Sequence, residues 1–397
     1  MSAAAQRRLI VGVGNAGVTV LDLLALEEPG LRGLVVVNND PESLAATVVR
    51  EKIEVPPGEP SDGFLAIDVD FGKLAAGASS LVLCGGLGGA TGSFLLPALA
   101  ILAKSSGITV AACVSLPFGF EGKRKSELAD QALEKLYAVC DAVAVIGNER
   151  LSGGAPSTAA VGEAFALADR TMLACTKALH GMIITSGPVR ITRSDMKSVL
   201  GLSGARVLFG SGKASGANRL HEALEEAMES PLLIQQGKNT PGSALLGTST
   251  VLLLLQGPSD LSFAEVQAAV SGIERVAGDR CQIKTGVLAS QPAGSPLTLS
   301  IIASSGGGSA PETRLQLAPS DAQADSPVVA VSKEKKSPSI TKKSPSSLPK
   351  QTQGTLDLDN YQKGRFDKSQ PTIVAGEDLD VPTFLRKGIK LSQPRRS

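Results

Sequence analysis

Over the first 150 residues, short apolar and β-branched runs alternate with stretches whose apolar residues recur at helical spacing. The runs Arg8–Val13, Leu34–Asn38, Ser80–Cys84, Ile108–Ser115 and Ala142–Gly147 are apolar on both faces, as strands buried in a parallel sheet are. Helical patterns between them include Ser93–Ala103 and Gly122–Tyr137. That alternation predicts a βαβ-type, doubly wound sheet. From Glu163 to about Thr185 the periodicity continues without Pro or a turn signal, which predicts one long helix.

Beyond it the pattern predicts short helices near Asp195–Leu202 and at Ala217–Met228. A strand at Thr248–Leu255, a helix at Ser262–Ala277 and strands near Gln282–Ala289 and Leu297–Ala303 follow. This reads as a second, smaller α+β domain joined to the first through the long helix. At about Ser304 the composition turns to Ser, Pro, Lys, Gln and Gly without apolar periodicity. Such a segment buries too little to offset its ordering entropy, so disorder is predicted to about Ile373. Apolar residues return in GEDLDVPTFLRKGIKL, an island that suits a docking peptide.

Composition narrows the chemistry. A formal charge of +1 gives no global field toward nucleic acid or anionic lipid. The five scattered Cys read as reduced core thiols of a cytosolic protein. With only His180 and His221, a Ser/His/Asp triad or a His-rich metal site is all but excluded. No apolar run approaches the ~20 residues of a bilayer span. MSAAAQRR lacks a secretory core. Those features predict a cytoplasmic protein that meets membranes through a partner, without inserting.

Two glycine loops carry the candidate chemistry. Gly12-Val13-Gly14-Asn15-Ala16-Gly17 follows a strand and opens a helix, the arrangement that lets backbone N–H groups approach phosphate. Asp40 ends the second strand, 23 residues past Gly17, a spacing that also suits a NAD-binding oxidoreductase. The second loop, Gly85-Gly86-Leu87-Gly88-Gly89-Ala90-Thr91-Gly92-Ser93, again joins strand to helix. A dinucleotide fold needs one such loop. Two on one sheet imply a polyphosphate between them.

In these loops the chain resembles the tubulin/FtsZ family of GTP-binding, head-to-tail polymerising proteins, with similarity across about residues 8–304. GGLGGATGS is similar to the family's phosphate loop, with Ala90 and Phe94 where Gly is usual, so that Gly88, Gly89, Ala90, Thr91, Gly92 and Ser93 are implied to hold phosphate. The first loop aligns with Gly14, Asn15, Ala16, Gly17, Val18 and Thr19 as the α/β-phosphate segment. Asn38-Asn39-Asp40 resembles the second nucleotide loop, through Asn39. The run from Pro117 to Lys123 resembles the ribose loop, with Glu121 on the sugar and Lys125 where Arg is usual. Asn148, Phe165 and Asp169 match positions that frame and read guanine. Asp suits that task because it accepts from both the ring N–H and the exocyclic amine. Gly212-Lys213 is not a P-loop, since Val207 and Ala214 stand where Gly and Ser/Thr are required.

The resemblance implies an α/β, Rossmann-like GTP-binding domain over 1–162, a central helix over 163–186 and a GTPase-activating α+β domain over 187–304. A disordered linker (305–373) and a docking peptide (374–397) complete it. It implies GTP or GDP with Mg²⁺ through the phosphates, and a homopolymer. Membrane-tethering division proteins would be held through Asp380, Pro382, Phe384, Leu385 and Arg386, concentrating the protein at the division site. Two departures stand out. Where the family carries NxDxxD on its catalytic loop, this chain has Arg190-Ile191-Thr192-Arg193-Ser194-Asp195, leaving Asp195 as the one candidate catalytic carboxylate. Asp195 also suits a helix cap. The segment between Val55 and Ser80 is shorter and lacks a γ-phosphate-sensing loop. Losing a positioned acid or base costs ~10²–10⁴-fold in rate. Hydrolysis is therefore expected to be slow, with a non-hydrolysing polymer or co-assembling regulator as the alternative.

Overall fold

The structure, a computed structural model, describes residues 7–55, 74–75, 77–152, 160–183, 187–201, 206–235, 237–238, 240–305, 373–374 and 377–378. The chain divides into a unit spanning Met1–Leu315 and another spanning Gln316–Ser397. In the second unit the described residues form a short antiparallel pair, Ile373–Val374 with Glu377–Asp378. Asp380, Pro382, Phe384, Leu385 and Arg386 lie outside the described residues.

The first unit begins with six parallel strands: β1 (Arg7–Val13), β2 (Leu34–Asn38), β3 (Glu51–Glu54), β4 (Ala78–Gly86), β5 (Thr109–Leu116) and β6 (Ala142–Gly147). Their spatial order is β3-β2-β1-β4-β5-β6. Strands apolar on both faces need helices on both faces. These are α1 (Gly14–Glu27), α2 (Pro41–Ala46), α3 (Ala90–Ser105) and α4 (Lys123–Val139). A one-turn α5 (Asn148–Ser152) precedes the 23-residue α6 (Val161–Ile183), which is ~34 Å long at 1.5 Å per residue.

The second sheet has the order β7-β10-β8-β9: β7 (Arg206–Ala214), β8 (Thr250–Pro258), β9 (Gln282–Gln291) and β10 (Leu297–Ser305). It is mixed, with β8 and β9 parallel and the other pairs antiparallel. With it go α7 (Arg193–Leu200), α8 (Arg219–Met228) and α9 (Phe263–Ala277). One apolar core runs through both domains by way of α6. Met172, Cys175 and Leu179 meet Val82, Cys84 and Cys113 of the first sheet, in a cluster that includes Phe209, Leu254 and Ile302 of the second. All five cysteines are free thiols, and four are buried.

Two strands escaped the periodicity. β3 is a four-residue edge strand whose charged EKIE pattern blunts an open sheet edge. β7 lies in RVLFGSGKA, whose glycines break the apolar run. They are there for packing. A Cβ on Gly210 would fall 2.1 Å from the Ala227 carbonyl oxygen, and one on Gly212 2.0 Å from that of Ala223. Only hydrogen at those two positions lets α8 lie down on the strand.

Candidate functional site

The carboxyl ends of β1, β2, β4, β5 and β6 open onto a cleft of about 360 Å³, within the range of small-molecule sites. A ligand meets that edge of an open α/β sheet first. Helix α1 starts directly where β1 stops, and this sharp join needs glycine at two contacts. A Cβ on Gly17 would stand 2.6 Å from the Gly12 carbonyl carbon and 2.7 Å from the Cys84 oxygen. Gly17 therefore serves helix–strand packing. Gly14, Asn15 and Ala16 line the cleft. Val18 is 4% exposed and belongs to the core. The Thr19 hydroxyl turns back to donate to the Asn15 carbonyl at 3.1 Å.

The second loop divides in the same way. Gly89, Thr91 and Gly92 line the cleft. The buried Ser93 hydroxyl instead accepts the Gly88 N–H at 2.8 Å and so shapes the turn. A Cβ on Gly92 would fall 2.0 Å from the Gly86 oxygen. Ala90 opens α3 and is exposed. Neither α1 nor α3 has a side-chain N-cap or an acidic residue in its first turn. By contrast α7 and α9 are closed by capping boxes. Two helices thus aim uncapped N–H groups and positive dipole ends into one cleft, an arrangement that takes an anion.

A polar chain crosses between the loops. The Thr91 hydroxyl donates to Asn39 Oδ1 at 2.7 Å, the Asn39 amide to Asn38 Oδ1 at 2.9 Å, and Asn38 Nδ2 to Asn15 Oδ1 at 2.6 Å. Asn38 is only 1% exposed. Asp40, two residues beyond the end of β2, spends its Oδ1 on the Glu42 N–H and caps α2.

At the other end lie the aromatic and acidic residues. Glu121 Oε1 accepts the Phe118 N–H, and its Oε2 accepts from Lys125 Nζ, both at 2.9 Å. Phe118 stacks on Phe120 at 5.1 Å and meets Phe165 edge-on at 4.9 Å. Asn148, at 5% exposure, has its Oδ1 buried without a partner. A buried unpaired acceptor is costly, and one that lines a cleft calls for a donor on the ligand. Burial lifts the Asp169 carboxyl above its ordinary value. These groups fit guanine: three donor hydrogens on its edge against a carboxylate and an amide oxygen, with a ring face for Phe165.

Asp195 does not line this cleft. It closes a capping box at the start of α7, where Oδ2 accepts from the Thr192 amide at 2.9 Å and the Thr192 hydroxyl at 2.6 Å, and Oδ1 stands 3.7 Å from Lys284 Nζ. Burial pushes its carboxyl up, but the Thr192 bonds and Lys284 together outweigh it and hold the group below its ordinary value. The loop is also tied down by Arg193, which donates to the Thr109 hydroxyl and lies 3.9 Å from Asp141.

The cleft also takes in Ser115, Leu116 and Ala168, which no motif marked. Ser115 and Leu116 end β5, and their place at a parallel-strand terminus is the signal that would have found them. Among the described residues, no group of three or more His, Cys, Asp and Glu side chains is arranged to hold a metal ion. No described helix is long and apolar enough to cross a membrane.

The tubulin/FtsZ family GTPase-domain model matches residues 65–155, and the FtsZ family C-terminal domain model matches residues 205–305. The chain is 25% identical to the cell division protein FtsZ of Pseudomonas aeruginosa over 95% of each chain. It is 27% identical to cell division protein FtsZ 2 of Rhizobium meliloti, over 74% of this chain and 86% of that one. Among solved structures, an empty FtsZ dimer from M. jannaschii superposes with a TM-score of 0.60 at 25% identity, covering 77% of this chain and 89% of its own. A CetZ2 protofilament from Haloferax volcanii shares the fold at 19% identity and a TM-score of 0.54, over 75% and 93%. Two family models matched in order, FtsZ relatives along the chain, and the two glycine loops facing one cleft identify this protein as a divergent member of the tubulin/FtsZ family.

Proposed function

We propose that the cleft binds GTP or GDP and that the chain assembles head to tail into filaments with the nucleotide at each junction. One observation carries the nucleotide reading: the buried, unpartnered Oδ1 of Asn148 lines the same cleft as Asp169 and both glycine loops. Phosphates lie against the amides of Gly14 to Ala16 and Gly89 to Gly92, the sugar against Glu121, and the base between Phe165, Asn148 and Asp169. Lys125 faces the sugar–phosphate region from its pair with Glu121. Mg²⁺ is carried on phosphate oxygens and neutralises their charge. Asp40 caps α2 through Oδ1 while lining the same cleft, so it is the second glycine loop, for which an NAD site has no use, that disfavours the NAD-dependent alternative.

Assembly rests on the similarity to an FtsZ that forms a dimer in its own structure. A heterologous contact that does not close generates a filament. In such a filament Asp195 reaches the next subunit's nucleotide as the one acidic group of its loop, and hydrolysis is slow. A role in cell division, with the tail peptide holding a membrane-tethering partner at the division site, extends the same reading.

A second reading, a non-hydrolysing filament or co-assembling regulator, is favoured by Thr192. That residue is a hydroxyl N-cap where the family supplies a carboxylate. Guanine nucleotide retained through gentle purification, together with GTP-dependent pelleting, supports the nucleotide-bound polymer. Binding of NAD in preference to GTP overturns it. Phosphate release by the wild-type chain beside Thr192→Asp separates the two readings, since activity only in the variant leaves the non-hydrolysing one.

A further inference from the structure

Helix α5 sends three successive side chains to three places. Asn148 enters the cleft with its unpartnered Oδ1. The Glu149 carboxylate accepts the Gly119 N–H, which ties α5 to the loop bearing Glu121. The Arg150 guanidinium crosses into the second domain, where Nη2 donates to the Leu232 carbonyl at 3.0 Å and Nη1 to the Val207 carbonyl at 3.3 Å. Leu232 lies in the turn Pro231–Leu233 and Val207 in β7, so these contacts span 82 and 57 residues of sequence.

A single helical turn has no stability of its own, because nucleating it fixes several residues for one hydrogen bond. What its side chains hold therefore sets its position. Leu151, 1% exposed, anchors it in the core. Arg150 supplies a rigid planar fork, and its acceptors are backbone carbonyls with no rotamer freedom. Together they define where the first residue of the turn can stand.

We infer that Arg150 is the positioning residue of the base site: it locks α5 to the second domain and so fixes Asn148 Oδ1 for the exocyclic amine of guanine. This rests on the guanine-nucleotide reading of the cleft. N–H···O hydrogen bonds favour separations of about 2.7–3.2 Å and weaken steeply as they bend below about 120°. A sub-ångström drift of α5 is therefore enough to lose the Asn148 contact. Guanine discrimination in this chain is a property of both domains together.

The test compares affinities of the full-length chain for GTP and for inosine triphosphate, which lacks the exocyclic amine, in wild type, Arg150→Met and Arg150→Lys. The wild type prefers GTP. Arg150→Met lowers that preference about tenfold, the worth of one buried hydrogen bond, and leaves inosine triphosphate binding nearly unchanged. Arg150→Lys, with one donor able to reach one carbonyl, falls between, and it carries the test if the Met variant fails to fold. In an Asn148→Ala background, Arg150→Met changes the ratio no further. A wild-type chain that does not prefer GTP over ATP removes the guanine reading and this inference together. A wild-type preference that survives intact in Arg150→Met, or an equal further loss in the Asn148→Ala background, removes the inference alone.

Discussion

The Thr91 hydroxyl donates to Asn39 Oδ1 at 2.7 Å, joining the second glycine loop to the end of β2 across the floor of the cleft. Through Asn38 and Asn15 the chain reaches the first glycine loop, so both glycine loops are braced before a ligand arrives. Preorganised donors spare a ligand the cost of ordering them. Thr91→Val removes the bridge while keeping the side chain's shape, and GTP affinity is expected to fall about three- to tenfold. Titration with a fluorescent GTP analogue measures it. Unchanged affinity would show that the brace is irrelevant to binding.

In the proposed base site the Asp169 carboxylate accepts from two guanine donors, so its replacement by an amide should change the base accepted. Asp169→Asn offers donors as well as an acceptor and suits xanthine, whose edge carries a carbonyl where guanine has the amine. GTP affinity drops by about a hundredfold or more, and xanthosine triphosphate gains relative to GTP. Because burial raises this carboxyl, GTP binding by the wild type weakens on acidification earlier than an ordinary carboxylate would require. Competition binding across pH measures both effects.

The Thr192–Asp195 capping box makes two separable predictions. Thr192→Ala loses an N-cap and destabilises the chain by roughly 0.5–2 kcal/mol, read as a lower melting temperature. Thr192→Asp keeps a capping oxygen for the Asp195 N–H but loses the hydroxyl donated to Asp195 and sets two carboxylates together, so stability falls modestly while phosphate release rises. A variant with no gain in release assigns slow turnover to something other than the missing acid.

His180 lies largely buried on α6, and its pKa is lowered to about 4, first by burial and then by the Arg8 guanidinium. Its unfolded value is ~6.5, so the unfolded chain binds this proton more readily. Its contribution to stability is complete above pH 6.5 and is lost as pH falls toward 4. At about 1.4 kcal/mol per pH unit the total is on the order of 3 kcal/mol. Chemical denaturation between pH 7 and 4 should show that slope, and His180→Gln should flatten it.

Much of this molecule was legible from its residues because its logic is local. Apolar runs such as Leu34–Asn38 and Ala142–Gly147 could only be buried strands, and both ends of each match the structure. The glycine loops could be seen because a strand and a helix abut each of them. Local pattern failed where a residue's reason lies across the fold. Gly210 and Gly212 break the apolar run of β7, and their reason shows only once α8 is placed on top of them. Ser115 and Leu116 carry no mark beyond ending a strand at the cleft.

Local backbone preference and hydrophobic period are written residue by residue, and they set the two domains, the long helix and the two anion cradles. Which side chains face the cleft, which are spent on capping, and which are left unpaired depends on rotamers selected by packing from distant segments. Arg150 meeting the Val207 and Leu232 carbonyls, while Asn148 keeps an open acceptor two residues away, is such an outcome. It exists only once both domains have closed around α6, because each of those partners is brought in by a different stretch of chain.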